Sequence, residues 1–186
     1  MLQIVIPGIE CYDEIKNEFI TTDSIKISME HSLLSLSKWE SKWHKPFLDG
    51  KDKSYEETID YYRCMTLTKN VDSDVYYNIS SDLGNQINDY ISDSMTATWF
   101  NDRASKSITE KSRINGTIVT SEIIYYYMIS LGVPFECQKW HLNRLITLIR
   151  VVSEQNAPKK KMSDREILAQ QAELNAKRRA ELNSKG

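Results

Sequence analysis

The chain has 186 residues, of which 40% are apolar and 27% charged, and its formal net charge is −2. That length holds one domain of ordinary size plus an extension, and the near-neutral balance excludes a polyanion binder that works through the charge of the whole chain. The three cysteines, Cys11, Cys64 and Cys137, lie far apart, which argues against a disulfide framework or a zinc pattern and fits reduced thiols in a cytosol-like compartment.

The first stretch, "MLQIVIPGIECYDE", has no basic leader and no long apolar run, so it does not read as a signal peptide. No apolar stretch approaches the roughly 20 residues that span a bilayer, and no membrane association is expected. "LQIVIPG" is β-rich and stops at Pro7-Gly8. Two further runs, Glu18–Thr21 and Ser24–Glu30, complete a small antiparallel sheet of two or three strands. In the second run Ile25, Ile27 and Met29 alternate with Lys26, Ser28 and Glu30, the period of a half-buried strand.

Helical patterns follow. Leu33, Leu36, Trp39 and Trp43 recur at three- and four-residue spacing, and Pro46 ends that helix. After the loop "DGKDKS", Ser54 and Glu57 form a capping box for a helix over "YEETIDYYRCMTL", with Ile59, Tyr62 and either Met65 or Cys64 turned inward. "SDLGNQINDYISDS" predicts another helix, with Leu83, Ile87, Tyr90 and Ile91 as its apolar stripe. The polar segment "NDRASKSITEKSRINGT" reads as an exposed, mobile loop. "TSEIIYYYMISLGVPFECQKWHLNRLITLIRVV" is the densest core signal. It reads as two helices broken at Gly132-Val133-Pro134, with Pro134 opening the second. Trp140, Leu145, Ile146, Leu148, Ile149 and Val152 are expected to face the core, and the antiparallel pair is expected to form the centre of the fold.

The chain then changes character. From Ala157 to Gly186 there are eight Lys/Arg against four Asp/Glu, a net of +4. The first 156 residues hold the remaining 16 basic and 22 acidic residues, a net of −6. Residues 1–156 are therefore expected to form a mostly helical globular domain whose strands lie within about residues 1–31. Residues 157–186 are expected to form a basic linker and an extended C-terminal helix. Ser163 and Glu166 make a second capping box, and the composition is rich in helix formers. The apolar stripe is narrow, however, and such a helix needs a partner to be stable. Ile167, Leu168, Leu174 and Leu182, with the cationic cluster Lys177, Arg178 and Arg179, are the candidate partner-binding residues.

Chemistry is harder to find. His31, His44 and His141 have no second ligand at metal spacing, and His141 reads as a packed histidine. Glu56, Glu57 and Asp60 suit a helix N-terminus better than an acid–base pair. Cys137 has no partner base in the pattern, and there is no glycine-rich phosphate loop. Tyr125-Tyr126-Tyr127 and the Trp39/Trp43 pair fit core packing better than base stacking. The expectation is a binding or scaffolding protein without catalytic residues, metal or cofactor. Met65, Met95, Met128 and Met162 offer adaptable apolar contact.

Several segments resemble one family. "MEHSLLSLSKWESKWHKPFL", "TIDYYRCM", "TATWF", "TSEIIYYYMISLGVPFECQKWHLNRLITLIRV" and "NAPKKKMSDREILAQQAELNAKRRAELN" are similar, in that order, to tail assembly chaperones of long-tailed, siphovirus-type bacteriophages. The match runs over most of the chain, and its two tryptophan-containing segments are the most specific. The resemblance implies a non-enzymatic protein of the host cytoplasm, absent from the mature virion. It would bind the tape-measure protein, keep it soluble and help recruit the tail-tube protein. It also implies a frameshifted longer form as a partner; a homo-oligomer fits the opposed charges of body and tail. Two other readings stay open: a structural tail or neck component retained in the virion, and a small helical nucleic-acid-binding regulator.

Overall fold

The computed structural model describes residues 1–8, 10–13, 18–21, 23–100, 113–114, 117–156, 168, 171–175 and 177–178. The chain divides into two compact units, Met1–Ser153 and Glu154–Gly186. The described part is mainly α-helical, with short antiparallel strand pairs, the first of them at the N-terminus.

In the first unit β1 (Leu2–Ile6) is followed by β2 (Glu10–Asp13), β3 (Glu18–Thr21) and β4 (Ile25–Met29). β1 pairs antiparallel with β4, placing Ile4 opposite Ile27, and β2 pairs with β3. The alternation expected over Ser24–Glu30 is present: Ile27 and Met29 are buried while Lys26 is exposed. Ile4 and Ile6 join them on the same inner face.

α1 (Leu33–Trp43) starts at Ser32, whose hydroxyl accepts from the Ser35 N–H while the Ser35 hydroxyl accepts from the Ser32 N–H. It stops at His44, which takes a left-handed conformation with φ 52°, two residues before Pro46. α2 (Tyr55–Met65) carries the expected capping box: the Ser54 N–H donates to Glu57 Oε2 at 2.8 Å, and the Glu57 N–H to Ser54 Oγ at 3.3 Å. Ile59, Tyr62 and Met65 are buried, as is Tyr61. A 3-10 helix (Ser73–Asn78) leads to α3 (Ser81–Ser92), capped by Ser80. The short strands β5 (Arg113–Ile114) and β6 (Thr117–Ile118) pair antiparallel at the end of the segment read as a loop. Residues 101–112 and 115–116 of that segment lie outside the described residues.

The next region differs from expectation. α4 (Ser121–Ser130) ends at Gly132, whose φ of 67° supplies the left-handed turn. Pro134 does not open the second long helix. It precedes a 3-10 helix (Phe135–Lys139), and α5 (Leu142–Asn156) begins later. The reason lies in α5's first residues. His141 bridges antiparallel to Ser32, and the Leu142 N–H donates to the His31 carbonyl at 2.7 Å. This short extended pairing turns His141 inward and its neighbour Trp140 outward, because successive side chains of an extended chain alternate sides. Trp140 is therefore exposed rather than core, and Arg144 stacks on its ring at 4.6 Å. Leu145 is fully buried, and Ile146, Leu148, Ile149 and Val152 are partly so.

The centre is α1, not the α4/α5 pair. One apolar cluster gathers Ile4, Ile6, Ile27 and Met29 of the sheet, Trp39, four residues of α2, Tyr76 and Ile87. The other gathers Leu33, Leu36, Val119, Ile124, Met128, Val133, Cys137, Leu142 and Leu145. α1 sends Trp39 into the first and Leu33 and Leu36 into the second. Each such large side chain contributes about 1.5–3 kcal/mol by leaving water.

Candidate partner-binding surfaces

Several described groups that could do chemistry are committed to architecture. His31 is buried, with Nδ1 2.6 Å from the Tyr61 hydroxyl. Burial, with His141 beside it, pushes its pKa down to about 3. The ring of His141 lies 5.1 Å from that of His31. Its Nε2 is 2.9 Å from the Tyr90 carbonyl oxygen, which can only accept, so the proton sits on Nε2 and Nδ1 is left buried without a partner. Burial lowers its pKa as well.

Glu57 caps α2 and holds Lys45 Nζ at 2.7 Å; Lys45 and the Ser54 amide keep its carboxyl below the usual range. Asp60 accepts from Lys42 and from Trp43 Nε1. Cys64 is half-buried, and burial next to Asp60 raises its thiol to about 11, too high for a nucleophile at neutral pH. Among the described residues no three His, Cys, Asp or Glu come together as a metal cage, and no helix is long and apolar enough to cross a membrane.

An open cleft of about 420 Å³ is lined by Glu40, Ser41, His44, Lys45, Pro46, Thr120 and Glu122. Its one buried acid, Glu40, is already engaged. Oε1 accepts from the Phe47 N–H and Oε2 from the Ser121 N–H, both at 2.8 Å.

The apolar surface is more informative. On α4, Glu122, Tyr126 and Ile129 follow one another at helical spacing on the exposed side. Tyr126 is 65% exposed and Ile129 64%. Phe135 is 52% exposed, its ring 6.4 Å from that of Tyr125. The tyrosine run expected in the core thus sits at its boundary. Its middle member points to solvent because the helix turns only about 100° per residue, so three successive side chains cannot share one face. Among the described residues Trp99 is the most open aromatic at 86%, and Met95, four positions earlier, is exposed with φ 50°. Of the other methionines, Met65 and Met128 are fully buried, and Met162 lies outside the described residues.

In the second unit, Leu168, residues 171–175, Lys177 and Arg178 are helical. Leu168 is 65% and Leu174 48% exposed. Lys177 pairs with Glu173 at 2.9 Å across one helical turn, with both side chains well exposed. Four of the seven candidate residues, Leu168, Leu174, Lys177 and Arg178, are therefore described, and all four reach solvent. Ile167, Arg179 and Leu182 lie outside the described residues. The α4 face was missed because its exposure depends on which side of α4 meets α1. The strongly apolar sequence of α4 gives no sign of that orientation.

Comparison with protein-family models, with curated proteins and with solved structures gives no match.

Proposed function

We propose that this chain is a non-enzymatic tail assembly chaperone of a long-tailed bacteriophage. It binds the tape-measure protein in the host cytoplasm, keeps it soluble, helps recruit tail-tube subunits and leaves before the virion is complete. A frameshifted longer form of the chain would act beside it, and copies of the chain would associate with one another. The observation that carries this reading is the ordered set of segments resembling that family, which runs over most of the chain.

The geometry is consistent with the reading. A long helical client exposes apolar surface before assembly and aggregates unless it is covered. The exposed apolar side chains of Tyr126, Ile129 and Phe135, and of Leu168 and Leu174, are available to the apolar stripe of an amphipathic helix. The acidic body and basic tail add opposed charges for steering partners.

The test is co-expression with the tape-measure product of the same phage. The full chain is expected to keep that product soluble and to co-purify with it, and deletion of residues 158–186 is expected to weaken capture. A tape-measure product that stays insoluble and unbound would refute the proposal. Recovery of the chain from purified virions by mass spectrometry would favour a structural tail or neck component.

A further inference from the structure

The sheet of β1 and β4 has two edges, and among the described residues only one is bonded to a further segment. Beyond β4 lies the segment that follows α2. The Leu67 N–H donates to the Ser28 carbonyl at 2.8 Å, and the Glu30 N–H to the Met65 carbonyl at 2.9 Å. The Ser28 N–H reaches Thr68 Oγ1 at 2.9 Å. In an antiparallel strand the N–H and C=O of one residue point to the same side, and the side alternates along the chain. Ser28 and Glu30 thus face the 65–68 segment, while Ile25, Ile27 and Met29 face β1.

The register Leu2↔Met29, Ile4↔Ile27 and Ile6↔Ile25 commits the peptide groups of Leu2, Ile4 and Ile6 to β4. Gln3 and Val5 turn theirs to the outer edge, where no described residue bonds them. Their side chains are exposed on the outer face. The next outward position is Pro7, which has no N–H to offer and so ends the ladder. Between Leu2 and Ile6 there is no charged side chain, so this edge lacks the lysine or inward charge that commonly blocks strand pairing.

We propose that β1 pairs antiparallel with β1 of a second copy of this chain about a twofold axis at Ile4, joining the two sheets into one of four strands. Gln3 of each copy then lies opposite Val5 of the other. Each of these two pairs exchanges two N–H···O bonds, so the outward groups of both residues are satisfied. The strand is its own complement, as a twofold interface requires. The charges agree as well. On the outer face the rows across the four strands read Lys26, Val5, Gln3, Ser28, so the two copies of Lys26 never meet. The pairing does not depend on the client-binding reading.

The full chain is tested by equilibrium sedimentation over a wide concentration range. The expected result is a species of twice the 21.6 kDa chain mass, with the Gln3 and Val5 amides slow to exchange in the paired form. Val5→Pro removes an outward N–H but no bond to β4, so the mass should fall to one chain with the far-UV spectrum unchanged. Gln3→Glu with Val5→Glu sets glutamate against glutamate and should also give single chains. Gln3→Lys with Val5→Glu sets opposite charges in both pairs and should restore the dimer, which separates pairing from a folding defect. The proposal is overturned by a wild-type chain that stays single at every concentration, including one that pairs only when a tape-measure segment is added. A dimer that survives Val5→Pro overturns it too, as does equal behaviour of the two double variants.

Discussion

Glu40 joins two parts of the body that are far apart in sequence, and its removal should be costly. One carboxylate oxygen accepts from the Phe47 N–H and the other from the Ser121 N–H. The second contact lies at the start of α4, where the N-cap residue Thr120 makes no side-chain cap bond. A carboxylate from α1 therefore supplies the cap and the favourable charge at the positive end of the helix dipole. The first contact fixes the turn that lays Phe47 against Tyr61 at 4.0 Å and against Trp39 at 5.0 Å. Glu40→Ala leaves both amides without an acceptor in a site where Glu40 itself is only 7% exposed. At about 1–3 kcal/mol for each stranded donor, the expected loss is about 3 kcal/mol. At roughly 2–4 °C per kcal/mol for a chain of this size, Tm should fall by about 6–12 °C. Glu40→Gln keeps one acceptor and sets an NH₂ against the other N–H, so it should lose about half as much. Urea and thermal unfolding followed by circular dichroism measure both. If both variants stay within about 0.5 kcal/mol of wild type, the range of an ordinary surface change, Glu40 does not cap α4.

Acid should weaken the body before most carboxylates titrate. His31 binds a proton near pH 6.5 when unfolded and only near pH 3 when folded. Stability is therefore full above pH 6.5 and falls as the pH drops below it, by up to about 1.4 kcal/mol per pH unit. Urea titrations should show a loss of about 2 kcal/mol between pH 7 and pH 5, and His31→Gln should flatten that slope; an unchanged slope would count against it. Cys64 should react with iodoacetamide about a hundredfold more slowly in the native chain than in urea, because its raised pKa leaves little thiolate. Peptide mass spectrometry would contradict this if both states labelled at one rate. Tyr126→Ser, Ile129→Ser and Phe135→Ser should each shift unfolding by no more than about 0.5 kcal/mol. Combined, they should weaken capture of the tape-measure product, and undiminished capture would remove the α4 face from the interface.

The legible parts of this fold are the ones whose causes are local. Ser54 and Glu57 are three residues apart, so the capping box depends on nothing beyond that stretch, and the strand alternation at Ile25–Met29 shows in five consecutive side chains. Trp140 was misplaced because its direction is set by a bridge between His141 and Ser32, more than a hundred residues away in the chain. The role of Glu40 depends on Ser121, 81 residues further on, facing it, which α1 alone does not reveal. The β1 edge that no described residue bonds is invisible for the same reason: it follows from which segment β4 accepts on each side, a non-local choice. For the tail, composition identifies a helix with exposed leucines, while what covers them is a property of a partner.

The same bonds occupy several of the groups that could otherwise act as acids or bases. A general base or nucleophile needs a free lone pair near a site that substrate can enter. Glu57 spends its oxygens on a cap and a lysine, Asp60 on Lys42 and Trp43, and Glu40 on two backbone amides. His31 is sealed against Tyr61. The free nitrogen of His141 is fully buried, so it faces no solvent from which a substrate could arrive. The described surface also carries exposed apolar side chains: Trp99, Tyr126, Ile129, Phe135, Leu168 and Leu174 stay in water at a free-energy cost that a partner's apolar surface would relieve. Glu40, Glu57, Asp60 and His31 hold the chain's own elements in register, while these apolar side chains remain open to contact.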